Sequence, residues 1–472
     1  MDVLGSIATI FARAGFEVFL VGGSVRDRLL GRASKDVDLT TNARPADIKR
    51  LLRQAKPDGL YDIGERFGTV GAMFGDAKVE ITTYRSEWYP DEESRHPEVE
   101  FGDRLEDDLA RRDFTINAIA QDIGTGKIED PHNGVADLAK KMLRAVGIPA
   151  ERFREDPLRM LRAVRLATQL RFEIERKTAA AIKESAGRLQ FISGERLRDE
   201  LTMILVSERP AQGILSMIEL GLIRFIMPEL AELASTDQDE RHQHKDVLAH
   251  TLQVLGGVPA DPVIRLAALL HDIGKPATMK VKNGKVQFHG HEMVGTRLAR
   301  KILERLRYDK TTIRAVADLV AWHMRSNLYE SDWSDGAVRR YMRDVGERRT
   351  QLLTLSRADI TSYRARRIEA GLKRVAELEA RCDLLAGQAD VEKMEGPLDG
   401  AELMELFGRE PGPWIKPIKD YLLGLVLDGY LDQGDKKAAT KLANEFVARQ
   451  PAAEEAKDKE GAGGSEAAGA TD

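Results

Sequence analysis

Short apolar runs alternate with longer amphipathic segments over the first 145 residues. Runs at 18–21, 70–74 and 79–83 have the length of buried strands, and the segments between them carry apolar residues at helical spacing. This alternation predicts an α+β domain in which a mixed sheet is flanked by helices.

Helical periodicity dominates the rest of the chain. From 146 to 235 few glycines interrupt the periodic runs, and Pro210 and Pro228 lie near the breaks between helices. A charged segment at 368–385 predicts one long helix. We expect a multi-domain α+β protein whose parts are 1–145, 146–235, 236–370 and 371–450, followed by a disordered acidic tail at 451–472.

Cysteine usage and the N-terminal sequence indicate a cytoplasmic protein. Among 472 residues there is one cysteine, Cys382, which argues against a disulfide framework or a thiolate metal cluster. The N terminus lacks a basic start followed by a long apolar run, and Arg13 interrupts its first hydrophobic stretch. We therefore expect neither a signal peptide nor a membrane span.

The net charge depends strongly on the tail. The whole chain has a formal net charge of −5, but residues 451–472 contain six acidic residues and two lysines, which leaves about −1 for the remainder. A nearly neutral body can still bind a nucleic acid through local basic clusters, and 140–144 and 363–367 are candidates.

A glycine turn and two closely spaced carboxylates lie within 16–39. The predicted strand at 17–21 leads into Gly22, Gly23 and Ser24, a turn whose amides can approach a triphosphate, and then into a helix that Gly31 ends. On the next predicted strand Asp36 and Asp38 project to the same side, because side chains alternate between faces.

Paired carboxylates of this kind suit phosphoryl chemistry. Two of them can hold divalent ions about 4 Å apart, one to activate an attacking hydroxyl and one to neutralise a leaving pyrophosphate. Magnesium prefers such oxygen ligands. The alternative, an ordinary turn beside a solvated strand edge, is disfavoured by the order and spacing of the two features. Glu80 is interpreted as the partner of an arginine, such as Arg85 or Arg26, rather than as a third catalytic carboxylate.

Charged residues recur three apart along the segment 155–166. Asp156, Arg159, Arg162 and Arg165 share one flank of a predicted helix, with leucines on another. A carboxylate accepts hydrogen bonds and a guanidinium donates them. Cytosine and adenine present an amino donor beside a ring-nitrogen acceptor, and uracil and guanine present the reverse.

These hydrogen-bonding patterns give the segment a predicted role. Asp156 and Arg159 would select C and A without a nucleic-acid template, and Arg162 and Arg165 would add stacking or phosphate contacts. The alternative is a helix covered with surface ion pairs.

Four motifs in this order resemble those of the bacterial-type tRNA nucleotidyltransferase and poly(A) polymerase family, the class II nucleotidyltransferases. They lie at 20–38, 111–118, 130–138 and 155–165. The resemblance implies catalytic, magnesium-binding roles for Asp36 and Asp38. It also implies nucleotide contacts by Gly22, Gly23, Ser24, Arg26, Arg111, Arg112, Asp113, Asn117, Asp156, Arg159, Arg162 and Arg165.

The resemblance also assigns roles to the predicted parts of the chain. It implies a nucleotidyltransferase head at 1–145 and a helical neck and body at 146–235 that carries the base-recognition helix and supports tRNA. The polar, turn-rich stretch at 85–105 occupies the place of the family's flexible loop, which is associated with the switch from C addition to A addition. The helical segment at 371–450 resembles the C-terminal part of the same enzymes.

A second chemical centre is predicted within 236–370. His250, the pair His271-Asp272 and Asp359 resemble the metal ligands of the HD phosphohydrolase superfamily, and an apolar helix leads to the pair, with Gly274 relieving the turn. Imidazoles with carboxylates suit a transition metal such as Ni, Co, Mn or Fe, which activates a bound water.

Other residues and roles follow from this resemblance. His291 and His323 are candidates for a second metal ion. Some relatives act on phosphorylated or cyclic-phosphate RNA ends, and the alternative is a domain retained only for tRNA docking.

The leading interpretation is an enzyme that adds CCA to tRNA from CTP and ATP with release of pyrophosphate. The alternatives within this class are a poly(A) polymerase and an enzyme limited to C or to A addition. An alternative of another class is an HD phosphohydrolase whose inactive nucleotidyltransferase head serves as an RNA-binding module.

Overall fold

The structure, a computed structural model, describes residues 3–32, 36–62, 68–88, 98–236, 247–283, 285–361, 364–388 and 394–449. The chain forms two compact units, Met1–Val320 and Ala321–Asp472. Residues 89–97 of the predicted loop, Tyr363 of the predicted basic cluster at 363–367, and the predicted tail lie outside the described residues.

The first unit contains all the strands that the structure describes. They are β1 (Val18–Val21), β2 (Asp36–Thr41), β3 (Gly59–Asp62), β4 (Thr69–Phe74), β5 (Ala77–Thr83), β6 (Arg85–Trp88), β7 (Glu98–Phe101), β8 (Ala120–Asp122), β9 (Ile128–Glu129), β10 (Met142–Leu143), β11 (Glu173–Ile174), β12 (Lys280–Lys282) and β13 (Lys285–Gln287).

Most of the first unit is helical. The helices that begin in it are α1 (Val3–Arg13), α2 (Gly23–Leu29), α3 (Pro45–Gln54), α4 (Leu105–Ala110), α5 (Gly134–Ala139), α6 (Pro149–Glu155), α7 (Leu158–Leu170), α8 (Arg176–Ser185), α9 (Gly194–Leu205), α10 (Pro210–Glu219), α11 (Ile223–Ile226), α12 (Pro228–Thr236), α13 (Val247–Gly257), α14 (Pro262–Leu270), α15 (Lys275–Thr278), α16 (His291–Arg305) and α17 (Lys310–Trp322).

A seven-stranded sheet of order β3-β4-β5-β2-β1-β8-β9 confirms the predicted mixed sheet. Strands β2 and β5 run parallel, with Asp38 opposite Glu80, whereas the other neighbours are antiparallel. Helices α1 and α3 contact each other and the sheet. Phe19 and Val21 of β1 pack with Leu105 and Leu109 of α4 in a buried cluster. The sheet is thus flanked by helices, as the periodicity predicts.

Two stretches contain more regular structure than the sequence pattern indicates. Within the turn-rich stretch at 85–105, β6 and β7 pair antiparallel, with Arg85 opposite Phe101, and α4 begins at Leu105. Within the helical portion, β11 pairs in parallel with β10. Such short pairings depend on a distant partner strand, which local periodicity does not reveal.

All the regular secondary structure among the described residues of the second unit is helical. Its helices are α18 (Asp335–Val345), α19 (Arg349–Asp359), α20 (Ala365–Gln388), α21 (Gly400–Phe407), α22 (Ile415–Leu427) and α23 (Lys436–Arg449). Helix α20 contains the predicted long helix at 368–385. Leu403, Leu422 and Ala443 belong to the core shared by α21, α22 and α23. Among the described residues, no helix has the length and apolar character needed to span a membrane.

Candidate functional site

A cavity of about 350 Å³ gathers residues from three of the four sequence motifs. Its lining consists of Gly22, Gly23, Asp38, Arg111, Arg112, Asp113, Asn117, Asp156, Leu158, Arg159, Arg162 and Arg196. The structure therefore brings most of the predicted nucleotide-site residues to one space. Leu158 and Arg196 are additions that the sequence interpretation did not assign to the site.

The glycine turn fits tightly against the cavity's charged groups. Gly22 has φ +66°, a conformation that favours glycine, and a Cβ at this position would lie 3.0 Å from Arg112 Nη1 and 3.9 Å from Asp38 Oδ2. The Ser24 hydroxyl accepts the Asp38 backbone N–H at 3.0 Å. The turn and the carboxylate strand are thus fixed to each other.

Asp36 and Asp38 occupy alternate positions of β2, which places them on the same side of the strand. Asp38 lines the cavity, whereas the side chain of Asp36 lies outside the description. A site of two carboxylates stays a prediction. Glu80 has a different partner from the predicted arginine, because its carboxylate binds Lys78 at 2.5 Å. Lys78 and Glu80 are two positions apart in β5 and therefore share a face.

A buried carboxylate that the sequence interpretation missed anchors two cavity arginines. Asp108 is 0% exposed, and its Oδ1 accepts from Arg111 Nη2 at 2.7 Å while its Oδ2 accepts from Arg112 Nη2 at 2.9 Å. Burial opposes ionisation, but Arg112 and Arg111 hold the pKa of Asp108 below its ordinary value. Arg111 and Arg112 follow Asp108 by three and four residues, which is the spacing of neighbouring side chains on a helix. This spacing is visible in the sequence and could have predicted the two ion pairs.

Asp113 forms a second buried charge pair. Its Oδ2 accepts from Arg162 Nη2 at 2.7 Å, and its Oδ1 accepts from Asn117 Nδ2 at 3.1 Å. Burial raises the pKa of Asp113, but Arg162 and Asn117 lower it below the ordinary value. Asp113 in turn raises the pKa of Arg162. All three side chains line the cavity, so this wall is a fixed network of charges.

Asp156 and Arg159 both line the cavity but do not form the expected continuous helix. Asp156 has extended backbone angles and separates α6 from α7. The next residue is Pro157, which disfavours helical angles in the residue before it. The prediction that Asp156 continues the helical flank is therefore wrong, although Arg159, Arg162 and Arg165 do share α7.

Each member of this predicted base-reading pair is held by another partner. Arg159 donates to Glu155 Oε2 at 2.6 Å and to the Arg111 carbonyl at 2.9 Å. Asp156 Oδ2 accepts from Arg196 Nη2 at 2.9 Å, and its Oδ1 accepts the Leu158 N–H at 3.1 Å. The two side chains are thus positioned independently.

Three predicted nucleotide contacts are not among the residues that line the cavity. Arg26 donates to Asp27 and, at 2.9 Å, to Asn117 Oδ1, and Arg165 donates to Glu200 Oε2 at 2.7 Å. Ser24 binds the backbone of Asp38, as described above. Arg26 and Ser24 thus bind residues that line the cavity, and contact of all three residues with a nucleotide stays a prediction.

The third motif supports the second. Asp137 Oδ2 accepts the Thr115 hydroxyl at 2.7 Å and Arg144 Nε at 3.1 Å. A Cβ at Gly134 would lie 2.1 Å from the Thr115 carbonyl oxygen, so α5 can approach this closely only with glycine there. The motif thereby holds the short 3₁₀ helix Thr115–Asn117 that presents Asn117 to the cavity.

A second group of possible ligands lies around the end of α14. His271 follows this apolar helix, and the ligand atoms of His250, His271 and Asp272 lie within 4.8 Å of one another. His271 Nε2 is 3.3 Å from His250 Nε2 and 3.2 Å from Asp272 Oδ2. His291 Nε2 is 3.5 Å from Asp272 Oδ1. Ligands about 2.0–2.2 Å from one metal ion have separations of this order.

Backbone carbonyls orient the imidazoles of this group. His271 Nδ1 lies 2.9 Å from the Ala268 oxygen and His291 Nδ1 lies 2.8 Å from the Phe288 oxygen. Because a carbonyl only accepts, each Nδ1 carries a proton, and deprotonation of each Nε2 would leave a lone pair there for a ligand. Burial raises the pKa of Asp272, but His271 and Lys275 hold it well below the usual range. The donor set therefore fits a metal ion.

Gly274 serves a different purpose from the predicted one. Its φ is −83°, so it does not relieve a left-handed turn. A Cβ there would lie 2.2 Å from the His291 oxygen and 2.6 Å from the Gly295 nitrogen, and the glycine lets α16 approach the ligand pair.

The remaining predicted ligands belong to the second unit. His323 is buried directly after α17, and Asp359 ends α19, where its Oδ2 accepts Asn327 Nδ2 at 3.1 Å. Their participation in a metal site stays a prediction.

Family models match three regions of the chain. They describe a poly(A) polymerase head domain at residues 18–144, a probable RNA- and SrmB-binding site of polymerase A at 171–233, and an HD domain at 247–364. Nucleotidyltransferase heads and HD domains generally use metal ions, and the His-Asp group described above is able to hold one.

Individual relatives cover most of the chain. An A-adding tRNA nucleotidyltransferase of Deinococcus radiodurans is 36% identical over 410 residues, which are 84% of this chain and 88% of that protein. A CCA-adding enzyme of Lactobacillus helveticus is 46% identical over 200 residues, 42% of this chain and 49% of its own. The crystal structure of the Bacillus stearothermophilus CCA-adding enzyme in complex with CTP superposes with a TM-score of 0.65 at 25% identity, covering 95% of this chain and 98% of that one. The chain belongs to the tRNA nucleotidyltransferase and poly(A) polymerase family.

Proposed function

We propose that this protein adds CCA to the 3′ ends of tRNA from CTP and ATP, without a nucleic-acid template and with release of pyrophosphate. The cavity that gathers Asp38, the glycine turn, Arg111, Arg112 and the base-selecting residues carries the proposal. The relatives also support the proposal, because they are named CCA-adding and A-adding enzymes.

The residues of the cavity divide the work of the reaction. Arg111 and Arg112 bind the triphosphate, because guanidinium groups pair with phosphate oxygens in a bidentate manner. The Arg112 Nε has no hydrogen-bond partner among the described residues and supplies a further donor. Asp38, with Asp36, fits magnesium as a hard oxygen ligand. Magnesium, when bound, activates the attacking hydroxyl and offsets the charge of the pyrophosphate.

Base selection falls to Asp156 and Arg159. The carboxylate accepts from the exocyclic amino group of C or A, and the guanidinium donates to the adjacent ring nitrogen. Uracil and guanine would place an acceptor against the Asp156 carboxylate and a donor against the Arg159 guanidinium. Each polar group left unpaired in this way costs about 1–3 kcal/mol of binding free energy. Arg196 holds the Asp156 carboxylate at the wall and so orients it.

The second centre would be a phosphohydrolase site. We infer that His250, His271, Asp272 and Asp359 hold a transition metal ion such as Ni, Co, Mn or Fe, that His291 and His323 contribute to a second, and that the substrate is a phosphorylated or cyclic-phosphate RNA end. The close Nε2 atoms of His250 and His271 support this inference. A cytoplasmic location stays a prediction from the sequence.

Three tRNA transcripts test the proposed addition. They end before CCA, after C and after CC, and each is incubated with magnesium and with labelled CTP or ATP separately. With CTP, we expect addition to the transcripts that end before CCA and after C. With ATP, we expect addition to the transcript that ends after CC and to neither of the others.

Other results identify other enzymes. Addition of A to the third transcript with no addition of C would establish an A-adding enzyme, which the Deinococcus relative favours as the second candidate. Long A tracts on all three would establish a poly(A) polymerase. No incorporation by the folded protein would favour a phosphohydrolase with an inactive head.

A further inference from the structure

The segment between Asp272 and His291 is unusually basic. It contains no acidic residue and four lysines, although the whole chain has a formal net charge of −5. These lysines are Lys275, Lys280, Lys282 and Lys285. The segment joins two residues of the His-Asp group, so its positive charge is introduced beside the proposed metal centre.

Strands β12 and β13 form an antiparallel hairpin within this segment, which we call the lysine hairpin. Lys280, Val281 and Lys282 are all exposed, so neither face of β12 is covered by the rest of the protein. Lys280 and Lys282 are two positions apart in β12 and therefore project from the same face of the strand. Their two like charges would attract an anion to this face.

The base of the lysine hairpin is connected to the His-Asp group on both sides. Phe288, the residue after β13, bonds His291 Nδ1 through its carbonyl oxygen at 2.8 Å. Its ring lies 5.6 Å from the Lys275 ammonium, which is 2.5 Å from Asp272 Oδ2. A ligand on the hairpin therefore lies next to the residues that would hold the metal.

Exposed apolar side chains accompany the lysines. Met279 is 45% exposed and Val281 53%. Lysines next to flexible apolar side chains can contact both the phosphates and the bases of a nucleic acid. A surface that carries only charged, hydrated side chains would contact the phosphates alone. Within the described part of the chain, neither Lys280 nor Lys282 forms an ion pair.

We propose that the lysine hairpin binds the backbone of single-stranded RNA and leads its 3′-terminal phosphate to the His250–His271–Asp272 group. Several separate ammonium groups on one hairpin match a chain of repeating phosphates better than a single small anion. This proposal rests on the phosphohydrolase function proposed above. It adds the surface that recognises the RNA upstream of the phosphate that is removed.

The test compares two double variants of the full-length protein. Lys280→Gln with Lys282→Gln removes two hairpin charges, and Lys301→Gln with Lys310→Gln removes two exposed charges from α16 and α17 as a matched control. Each protein is titrated with a fluorescent, 3′-phosphorylated RNA of about ten nucleotides over a range of salt concentrations. Hydrolysis of this RNA and of p-nitrophenyl phosphate is measured with added nickel, cobalt or manganese.

We expect the hairpin variant to lose RNA affinity and the control to keep it. The slope of log K against log salt should fall by about 1.4, because each lost contact with a single strand contributes about 0.7. The KM for RNA should rise about tenfold, while kcat/KM for p-nitrophenyl phosphate should stay at the wild-type value.

Two results would overturn the proposal. One is an unchanged salt slope, and the other is an equal loss on both substrates, which would make the hairpin a structural support of the centre. If the wild-type protein hydrolyses neither substrate but the hairpin variant still lowers the slope, the phosphohydrolase function fails and RNA docking by the hairpin stands.

Discussion

At the scale of single residues, Asp108 orients two cavity arginines without reaching the cavity itself. A fully buried carboxylate bonded to two guanidinium groups fixes their direction before any substrate arrives. Preorganised cations bind a triphosphate without the entropic cost of ordering long side chains. Asp108 is therefore a positioning residue for the proposed triphosphate site.

We expect Asp108→Asn to weaken both folding and nucleotide binding. The change leaves two partly buried arginines without a counter-charge, which should lower the free energy of unfolding by about 3 kcal/mol. The KM for CTP and for ATP should rise together, by about tenfold if about 1.4 kcal/mol of binding is lost. Steady-state kinetics and urea unfolding measure these effects, and Asp107→Asn, an exposed neighbour, is the control. A changed preference between C and A would contradict a purely positioning role.

The same carboxylate gives the protein a defined acid sensitivity. Its pKa is lower in the folded protein than in the unfolded chain, where it is about 3.9. Its stabilisation is therefore complete above that value and is lost as pH falls through the folded pKa. We expect the difference in unfolding free energy between wild type and Asp108→Asn to be constant from about pH 7 to 5 and to shrink below about pH 4. A difference that grew on acidification would contradict this assignment.

Asp38→Ala tests the proposed catalytic carboxylate. Loss of a metal ligand removes several kcal/mol of charge stabilisation, so nucleotide addition should fall below detection. Binding of tRNA should stay close to wild type, because the carboxylate contacts metal rather than RNA. Filter binding and labelled-nucleotide incorporation report the two properties separately. Near-normal turnover would exclude Asp38 from catalysis.

At the scale of elements, the sequence predicts what depends on local patterns. The strand at 18–21, helix α2 with its end before Gly31 and the long helix α20 follow from periodicity and turn chemistry. The parallel pairing of β2 with β5 and the pairing of β6 with β7 depend on partners distant in the chain. For the site, motif residues predict the lining, but two partners lie far away in the chain, Arg196 for Asp156 and the Arg111 carbonyl for Arg159.

The contact between α16 and the segment after α14 is an element-scale requirement for the metal group. Gly274→Ala would push a Cβ into the His291 backbone, so it should shift α16 and cost about 1–3 kcal/mol. We expect affinity for nickel or manganese to fall about 10–100-fold, as it does when supports of metal ligands are lost. Nucleotide addition should be spared. Isothermal titration measures the metal affinity.

A matched substitution separates the Gly274 contact from a general effect of replacing glycine in a helical region. Gly256 of α13 has no atom within 4 Å of an added Cβ. Gly256→Ala should therefore keep metal affinity and raise the free energy of unfolding by about 0.5–1 kcal/mol. Equal metal binding by the two alanine variants would show that the close approach at Gly274 does not position His291.

At the scale of the whole molecule, the nucleotide cavity and the His-Asp group use different ligand chemistry. The first offers carboxylates suited to magnesium, and the second offers imidazoles with a carboxylate, suited to a transition metal. We expect His271→Ala with Asp272→Ala to remove binding of nickel, cobalt or manganese and any hydrolysis of phosphate esters, while nucleotide addition with magnesium stays intact. Circular dichroism confirms folding of the variant. Loss of both activities in a folded variant would show that the two centres depend on each other.

The position of Asp156 limits how base preference can drift through mutation. Its carboxylate also accepts an N–H at the start of α7, so alanine there would forfeit about 1 kcal/mol of helix stability. Asparagine keeps that bond and differs by one nucleotide in its codon. The same single change introduces a donor where the proposed reading of C and A requires an acceptor. A one-nucleotide change to asparagine would therefore alter the proposed base reading while keeping the bond at the start of α7, so selection against it would act on fidelity more than on folding.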